Sequence, residues 1–164
     1  MSEIAVSALS GAQASGLVEV REMGLQGMVS LRADLSKAST ALKKATGAAM
    51  PGTREVSDGK DCSVAWMSPD ELLVLCAHDA ADQMVGALQD ALNGQHHLGV
   101  DVSDARAMFS LTGEAGALRD VLAKITPADM AALNPGEMRR TRLQQVPAAI
   151  WFESATEARV VCFR

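Results

Sequence analysis

The segment from Gly27 to Thr46 returns 80 positions later as Ala107 to Thr126. Met28, Ser30, Leu31, Leu42, Lys44 and Thr46 match Met108, Ser110, Leu111, Leu122, Lys124 and Thr126 at that single offset. Further along, Pro51-Gly52 is echoed by Pro135-Gly136, Trp66 by Trp151, and Cys76 by Cys162. Repetition of this kind means one supersecondary unit copied and packed against a like unit. The period is too long and the copies too few for a solenoid. The expectation is an α/β (α+β) fold made of duplicated β-α-β-β units.

Hydropathy within the copies supports that reading. Met28 to Ala33 reads as a strand, and Asp34 or Ser36 can cap a helix with Leu35, Ala38, Leu42, Ala45 and Ala49 inward and Gly47 near its end. Pro51-Gly52 forces a turn. The runs Cys62 to Met67 and Glu71 to Cys76 read as strands around Ser68-Pro69-Asp70, because Leu72-Leu73-Val74-Leu75 has no polar face for a surface helix. A helix is expected from Asp79, with Ala81, Met84, Val85, Leu88, Ala91 and Leu92 on one stripe and Asn93-Gly94 at its end, and Gly99 to Ser103 then closes the first copy as a strand. The second copy starts with strand Ala107 to Thr112, and a Gly113-capped helix follows with Leu118, Val121, Leu122 and Ile125 inward. Its strands lie near Met138 to Gln145, Ala148 to Phe152 and Ala158 to Phe163, with Pro147 marking an interruption or an edge. The second copy stops after its third strand, so its closing helix is absent or lies beyond Arg164. The organisation anticipated is a flexible tail over 1–18, a first half over 19–104 and a second half over 105–164.

Composition narrows the function classes. A net charge of −5 with dispersed acidic residues lacks the electrostatic footprint of a nucleic-acid binder. Two Trp, three Phe and no Tyr leave little for base stacking. The N-terminal residues have no basic start and no continuous apolar core, so no signal peptide is expected, and no run approaches the roughly 20 apolar residues of a membrane span. Cys62, Cys76 and Cys162 lie in apolar segments without a CxxC pair, which suits reduced buried thiols in the cytoplasm.

Motifs for nucleotide binding, phosphate cradling, the hydrolase elbow and zinc proteolysis are missing. His78, His96 and His97 do not complete a coordination sphere, so no metal site is expected. No nucleophile can be placed with a base, and no catalytic residue is assigned. Two polar groups remain as candidates. Asp101 and Arg106, with Ser103 and Asp104, form either a ligand-binding corner or a hydrogen-bonded turn joining the copies. Arg139, Arg140 and Arg142 form the densest basic cluster, with strand alternation placing Arg140 and Arg142 on one face and Arg139 on the other. They are the candidate contacts for a partner protein.

Taken in order, Trp66-Met67-Ser68-Pro69-Asp70-Glu71-Leu72-Leu73, Val100-Asp101-Val102-Ser103-Asp104-Ala105-Arg106, Leu111-Thr112-Gly113 with Ala117 and Leu122, Pro127-Ala128-Asp129 and Pro135-Gly136 resemble the gamma subunits of heterotetrameric sarcosine oxidase. The resemblance runs from Leu17 to Arg164. Those subunits in turn resemble the folate-binding region of the glycine cleavage aminomethyltransferase. The resemblance implies a small noncatalytic subunit in an assembly that demethylates sarcosine oxidatively to glycine, with alpha, beta and delta subunits as partners. It also implies no cofactor on this chain, with FAD, FMN, NAD and tetrahydrofolate on the partner subunits. A free-standing tetrahydrofolate-binding one-carbon protein is the alternative use of the same fold, for which Asp101 and Arg106 would be the cofactor-binding residues.

Overall fold

The computed structural model describes residues 5–164 and divides them into two units, 26–103 and 5–25 with 104–164. In chain order the strands are β1 (Gln13–Ser15), β2 (Val18–Glu22), β3 (Gly27–Ala33), β4 (Val56–Asp58), β5 (Cys62–Ser68), β6 (Glu71–Cys76), β7 (His97–Asp101), β8 (Arg106–Gly113), β9 (Met138–Leu143), β10 (Val146–Ser154) and β11 (Glu157–Phe163). The helices are α1 (Leu35–Thr46), α2 (Ala81–Ala91) and α3 (Ala115–Ala123), with a short 3-10 turn at His78–Ala80 leading into α2.

The unit of residues 26–103 is a five-stranded sheet in the order β4-β5-β6-β3-β7. Its core joins Val29 and Leu31 of β3, Leu72 and Val74 of β6, Ala38 and Leu42 of α1, and Ala81 and Leu88 of α2 with the following Leu92. The Asp34 carboxylate caps α1 by accepting from the Ser36 N–H. Gly47 ends the helix at φ 74°, the left-handed conformation that glycine adopts without a Cβ penalty.

The second unit is a six-stranded sheet, β1-β2-β8-β11-β10-β9. Its strands β8, β11, β10 and β9 stand in the order of β3, β6, β5 and β4 of the first sheet, and β2 flanks β8 where β7 flanks β3. The correspondence extends to single residues. Glu114 caps α3 as Asp34 caps α1, 80 positions apart. The Thr46 hydroxyl accepts from the Ala48 N–H, and that of Thr126 from the Ala128 N–H. Both hairpins carry a register shift at one place, between Trp66 and Ser68 and between Phe152 and Ser154.

Three expectations are corrected. First, the residues placed in a 1–18 tail include β1 and the start of β2, while residues 1–4 lie outside the described residues. Val18 and Val20 alternate with charged residues along β2, and pairing with β8 satisfies backbone groups that β8 would otherwise leave open. The chain therefore divides near residues 26 and 103, and residues 19–25 belong with the second half. Second, Trp66 corresponds to Phe152 and not to Trp151. Cys62 pairs with Cys76 and Trp66 with Leu72, as Ala148 pairs with Cys162 and Phe152 with Ala158. A slip of one residue moves a side chain to the opposite sheet face, so Trp151 is on the other side from Phe152. Third, α3 is capped by Glu114. Gly113 is needed for close approach, since a Cβ there would lie 2.9 Å from Val18 Cγ1.

Candidate functional site

The Asp101 and Arg106 groups fall in different units, and each is engaged within its own. Asp101 Oδ1 accepts from the Ser103 N–H at 2.8 Å and the Ser103 hydroxyl at 2.5 Å. That hydroxyl in turn accepts from the Met28 N–H at 2.9 Å, so the acid holds a turn onto the end of β3. The Arg106 guanidinium lies 4.9 Å from the centre of the Phe163 ring, beside it on the neighbouring strand.

The three arginines lie on β9, an edge strand of the second sheet. Arg140 and Arg142 are exposed, while Arg139 is partly buried, donating to the Met138 carbonyl at 2.9 Å with Glu137 at 3.7 Å. The alternation expected from the sequence is present. Pro147 sits in β10, an inner strand, where it pairs with Arg142 ahead of the first residue of that strand paired to β11. Its missing N–H therefore costs no bond to β11.

All three thiols are free. Cys62 and Cys76 are directly opposed on β5 and β6, a neighbour relation the sequence did not reveal. Burial raises all three thiol pKa values above their ordinary value, which disfavours the reactive thiolate. His96 and His97 line a cavity of about 540 Å³ with Arg32, Asp34 and Asp70, where Arg32 bridges Asp70 at 3.0 Å and Glu71 at 3.1 Å. Among the described residues, no group of three His, Cys, Asp or Glu side chains could hold a metal ion, and no helix is long and apolar enough to cross a membrane.

The largest departure from internal symmetry is an open apolar groove in the second unit. Its volume is about 270 Å³, and Val20, Phe109, Leu111, Val121, Ile125 and Cys162 are among its walls. In the first unit the corresponding sheet face is closed by α2. Beside the groove, on the same face of β2, Glu22 is only 6% exposed. One carboxylate oxygen accepts from the Gly24 N–H at 3.0 Å and the Ser7 hydroxyl at 3.1 Å; the other, Oε1, has no hydrogen-bond partner among the described residues. Glu22 pairs with Phe109 as Asp101 pairs with Val29, so the two acids are counterparts. Sequence reading missed Glu22. Its signal was an acid ending an alternating strand and followed two residues later by glycine, but that strand had been split between the tail and the first half.

The model of the sarcosine oxidase, gamma subunit family matches residues 32–139, more than half of the chain. The chain belongs to this family. Among solved structures, this gamma-family chain resembles heterotetrameric sarcosine oxidase from Corynebacterium sp. U-96 in complex with pyrrole 2-carboxylate, at 28% identity and TM-score 0.78, over 92% of this chain and 79% of that one. It also resembles glycine cleavage system aminomethyltransferase T from Bartonella henselae, at 12% identity and TM-score 0.63, over 86% of this chain and 40% of that one, a likeness of fold. No curated protein sequence matches it.

Proposed function

We propose that this chain is the small gamma-type subunit of a cytoplasmic, heterotetrameric sarcosine-oxidising flavoenzyme, and that its work is assembly. In this reading the alpha, beta and delta subunits are its partners, and FAD, FMN, NAD and tetrahydrofolate sit on partner chains, where sarcosine is demethylated to glycine. The observation that carries the reading is the family match, together with the likeness to heterotetrameric sarcosine oxidase over nearly all of the chain. The engagement of Asp101 by Ser103 and the stacking of Arg106 on Phe163 favour it over a free-standing tetrahydrofolate binder, which would need those side chains for its ligand.

Co-expression with the alpha, beta and delta subunits tests the proposal. The expected outcome is co-elution of all four chains, with the purified small chain alone colourless and inactive toward sarcosine. Replacing Arg139, Arg140 and Arg142 together by Ala is expected to weaken retention, with Arg139 responsible for any small loss of stability because it alone is partly buried. Flavin retained by the isolated chain through gel filtration, or failure of the wild-type chain to co-elute, would overturn the assembly role.

A further inference from the structure

Across the first sheet, Gly27, Cys76 and Cys62 stand in one row on β3, β6 and β5. The hydrogen-bond pattern fixes what kind of row this is. Met28 turns its backbone to the β7 side, its C=O accepting from the Val102 N–H at 2.8 Å, so by alternation Gly27 bonds to β6 and Cys76 directs its own N–H and C=O to β3. Cys62 likewise points its C=O away from β6, accepting from the Gly59 N–H at 2.7 Å. Cys62 and Cys76 are therefore a non-hydrogen-bonded pair, a type whose Cα atoms stand about 4.5 Å apart, inside the span of about 4.4–6.8 Å that a disulfide bridges. Both side chains lie on the face covered by α1 and α2.

The reduced sulfurs rest apart. A Cβ on Gly27 would lie 2.8 Å from Cys76 Sγ, and one on Gly59 2.9 Å from Cys62 Sγ, so each thiol fills space that a glycine leaves open. Cys62 Sγ also donates to the Thr46 carbonyl at 3.4 Å. Rotation about χ1 takes the sulfurs from these seats toward each other. The second unit lacks the arrangement: Cys162 pairs with Ala148 where Cys76 pairs with Cys62, and with Ala107 where Cys76 pairs with Gly27. Cys62 lines a cavity of about 290 Å³ with Lys44, Thr46, Gly47 and Lys60, and Cys162 lines the apolar groove. A small oxidant thus meets a thiol in each unit, but only in the first does it find a second thiol opposite. Burial disfavours the thiolate at Cys62 and Cys76, so placement and not acidity selects this pair.

We propose that Cys62 and Cys76 are a dithiol modification site, oxidised by hydrogen peroxide to a cross-strand disulfide that joins β5 to β6. The Cys62 thiolate attacks one peroxide oxygen, the O–O bond breaks, and the released hydroxide takes up the thiol proton and leaves as water. A sulfenic acid remains on Cys62. The Cys76 sulfur then attacks the Cys62 sulfur, the S–O bond breaks, and hydroxide leaves as water with the Cys76 proton. Two thiols lose two electrons in all, and one peroxide becomes two waters.

The test exposes the full, reduced chain to hydrogen peroxide, alkylates the remaining thiols and maps the fragments by mass spectrometry without reductant. Trypsin leaves both cysteines in one fragment, Asp61 to Arg106, and a further cut after Glu71 separates them. The expected result is a disulfide-linked pair of these pieces, with both thiols lost to alkylation together and restored by dithiothreitol, and with Cys162 outside any bridge. Cys76→Ala should instead stop at a Cys62 sulfenic acid that dimedone traps, and the wild-type map decides the matter even where that variant does not fold. Pieces that stay unlinked while circular dichroism shows the native fold, with the thiols either untouched or separately over-oxidised, would overturn the proposal. A bridge that joins two chains, or one that takes in Cys162 as readily as the opposed pair, would overturn it as well.

Discussion

In the unit of residues 26–103, two helices cover one sheet face; in the other unit, α3 covers part of it and the rest is a groove. The shared framework is deep. Cap follows cap, the threonine turns after both first helices coincide, and Asp101 and Glu22 each accept an N–H two residues ahead at the end of the flanking strand. The difference is confined to one layer. Strand, helix and hairpin thus form the constant frame of the duplication. In the first unit α2 packs on the sheet beyond that frame, and there the face contributes to stability.

The largest expected effect separates filled from open. Leu88 of α2 is fully buried. Leu88→Ala should cost about 2–5 kcal/mol, the range for deleting a buried leucine side chain with partial relaxation. Val121→Ala, on the groove wall, should cost less than about 1.5 kcal/mol because the side chain is only half-buried and leaves no closed cavity. Urea unfolding of both variants gives the comparison. Equal costs would mean that the groove wall is packed as tightly as α2, and the contrast between the units would fail.

A smaller effect concerns the end of the central strand. Ala33 ends β3, and its counterpart Gly113 ends β8, where Val18 of β2 pairs with it. Gly113→Ala would place a Cβ 2.9 Å from Val18 Cγ1 and 3.3 Å from the Leu17 carbonyl oxygen, and should cost about 1–3 kcal/mol as overpacking. Ala33→Gly should cost about 0.5–1 kcal/mol, the ordinary penalty for glycine in a strand. Thermal melts in which the Gly113 variant is the milder of the two would show that β2 yields, making its match to β7 looser than the register implies.

The repeat was legible in the sequence because its best-preserved stretch, β3 with α1 against β8 with α3, has no insertion and keeps one offset. It became illegible in the hairpins, where loops of different length reset the register. Two tryptophans then looked equivalent although they occupy opposite faces, since identity of residue type outweighed the two-residue period that decides facing. The flanking strand of the second sheet was hidden for another reason. β2 precedes the first copy in the chain yet pairs with β8 in the second, and local pattern carries no information about so distant a partner. Missing β2 meant missing Glu22 and one wall of the groove. The arginine alternation on β9 was readable because it depends only on local geometry.

The smallest effect bears on the two helix caps, which share a position and differ in partners. Asp34 has its pKa lowered mainly by the side-chain hydrogen bond of Ser36 and then by Lys37, whose ammonium is 2.9 Å away. Glu114 has its pKa lowered by backbone N–H groups, that of Gly116 first and Ala117 next, and the residue matching Lys37 is Ala117. In both cases the folded-state pKa lies below the unfolded one. The unfolded chain therefore binds more protons at acidic pH, and the cap's contribution is present above the unfolded pKa and is lost as pH falls through the folded one. Both helices should fray in acid below about pH 4, near the ordinary carboxylate range. Salt should separate them, because an exposed ion pair is screened within a Debye length of about 10 Å at 0.1 M whereas a cap bonded to its own backbone is much less so. Amide hydrogen exchange in α1 and α3, measured from pH 5 to 3 at low and high salt, is expected to show salt-sensitive protection in α1 and salt-insensitive protection in α3. Asp34→Asn should remove the difference in α1. If both helices respond alike to salt, Lys37 contributes nothing beyond the cap itself, and the two copies are closer at this position than their sequences suggest.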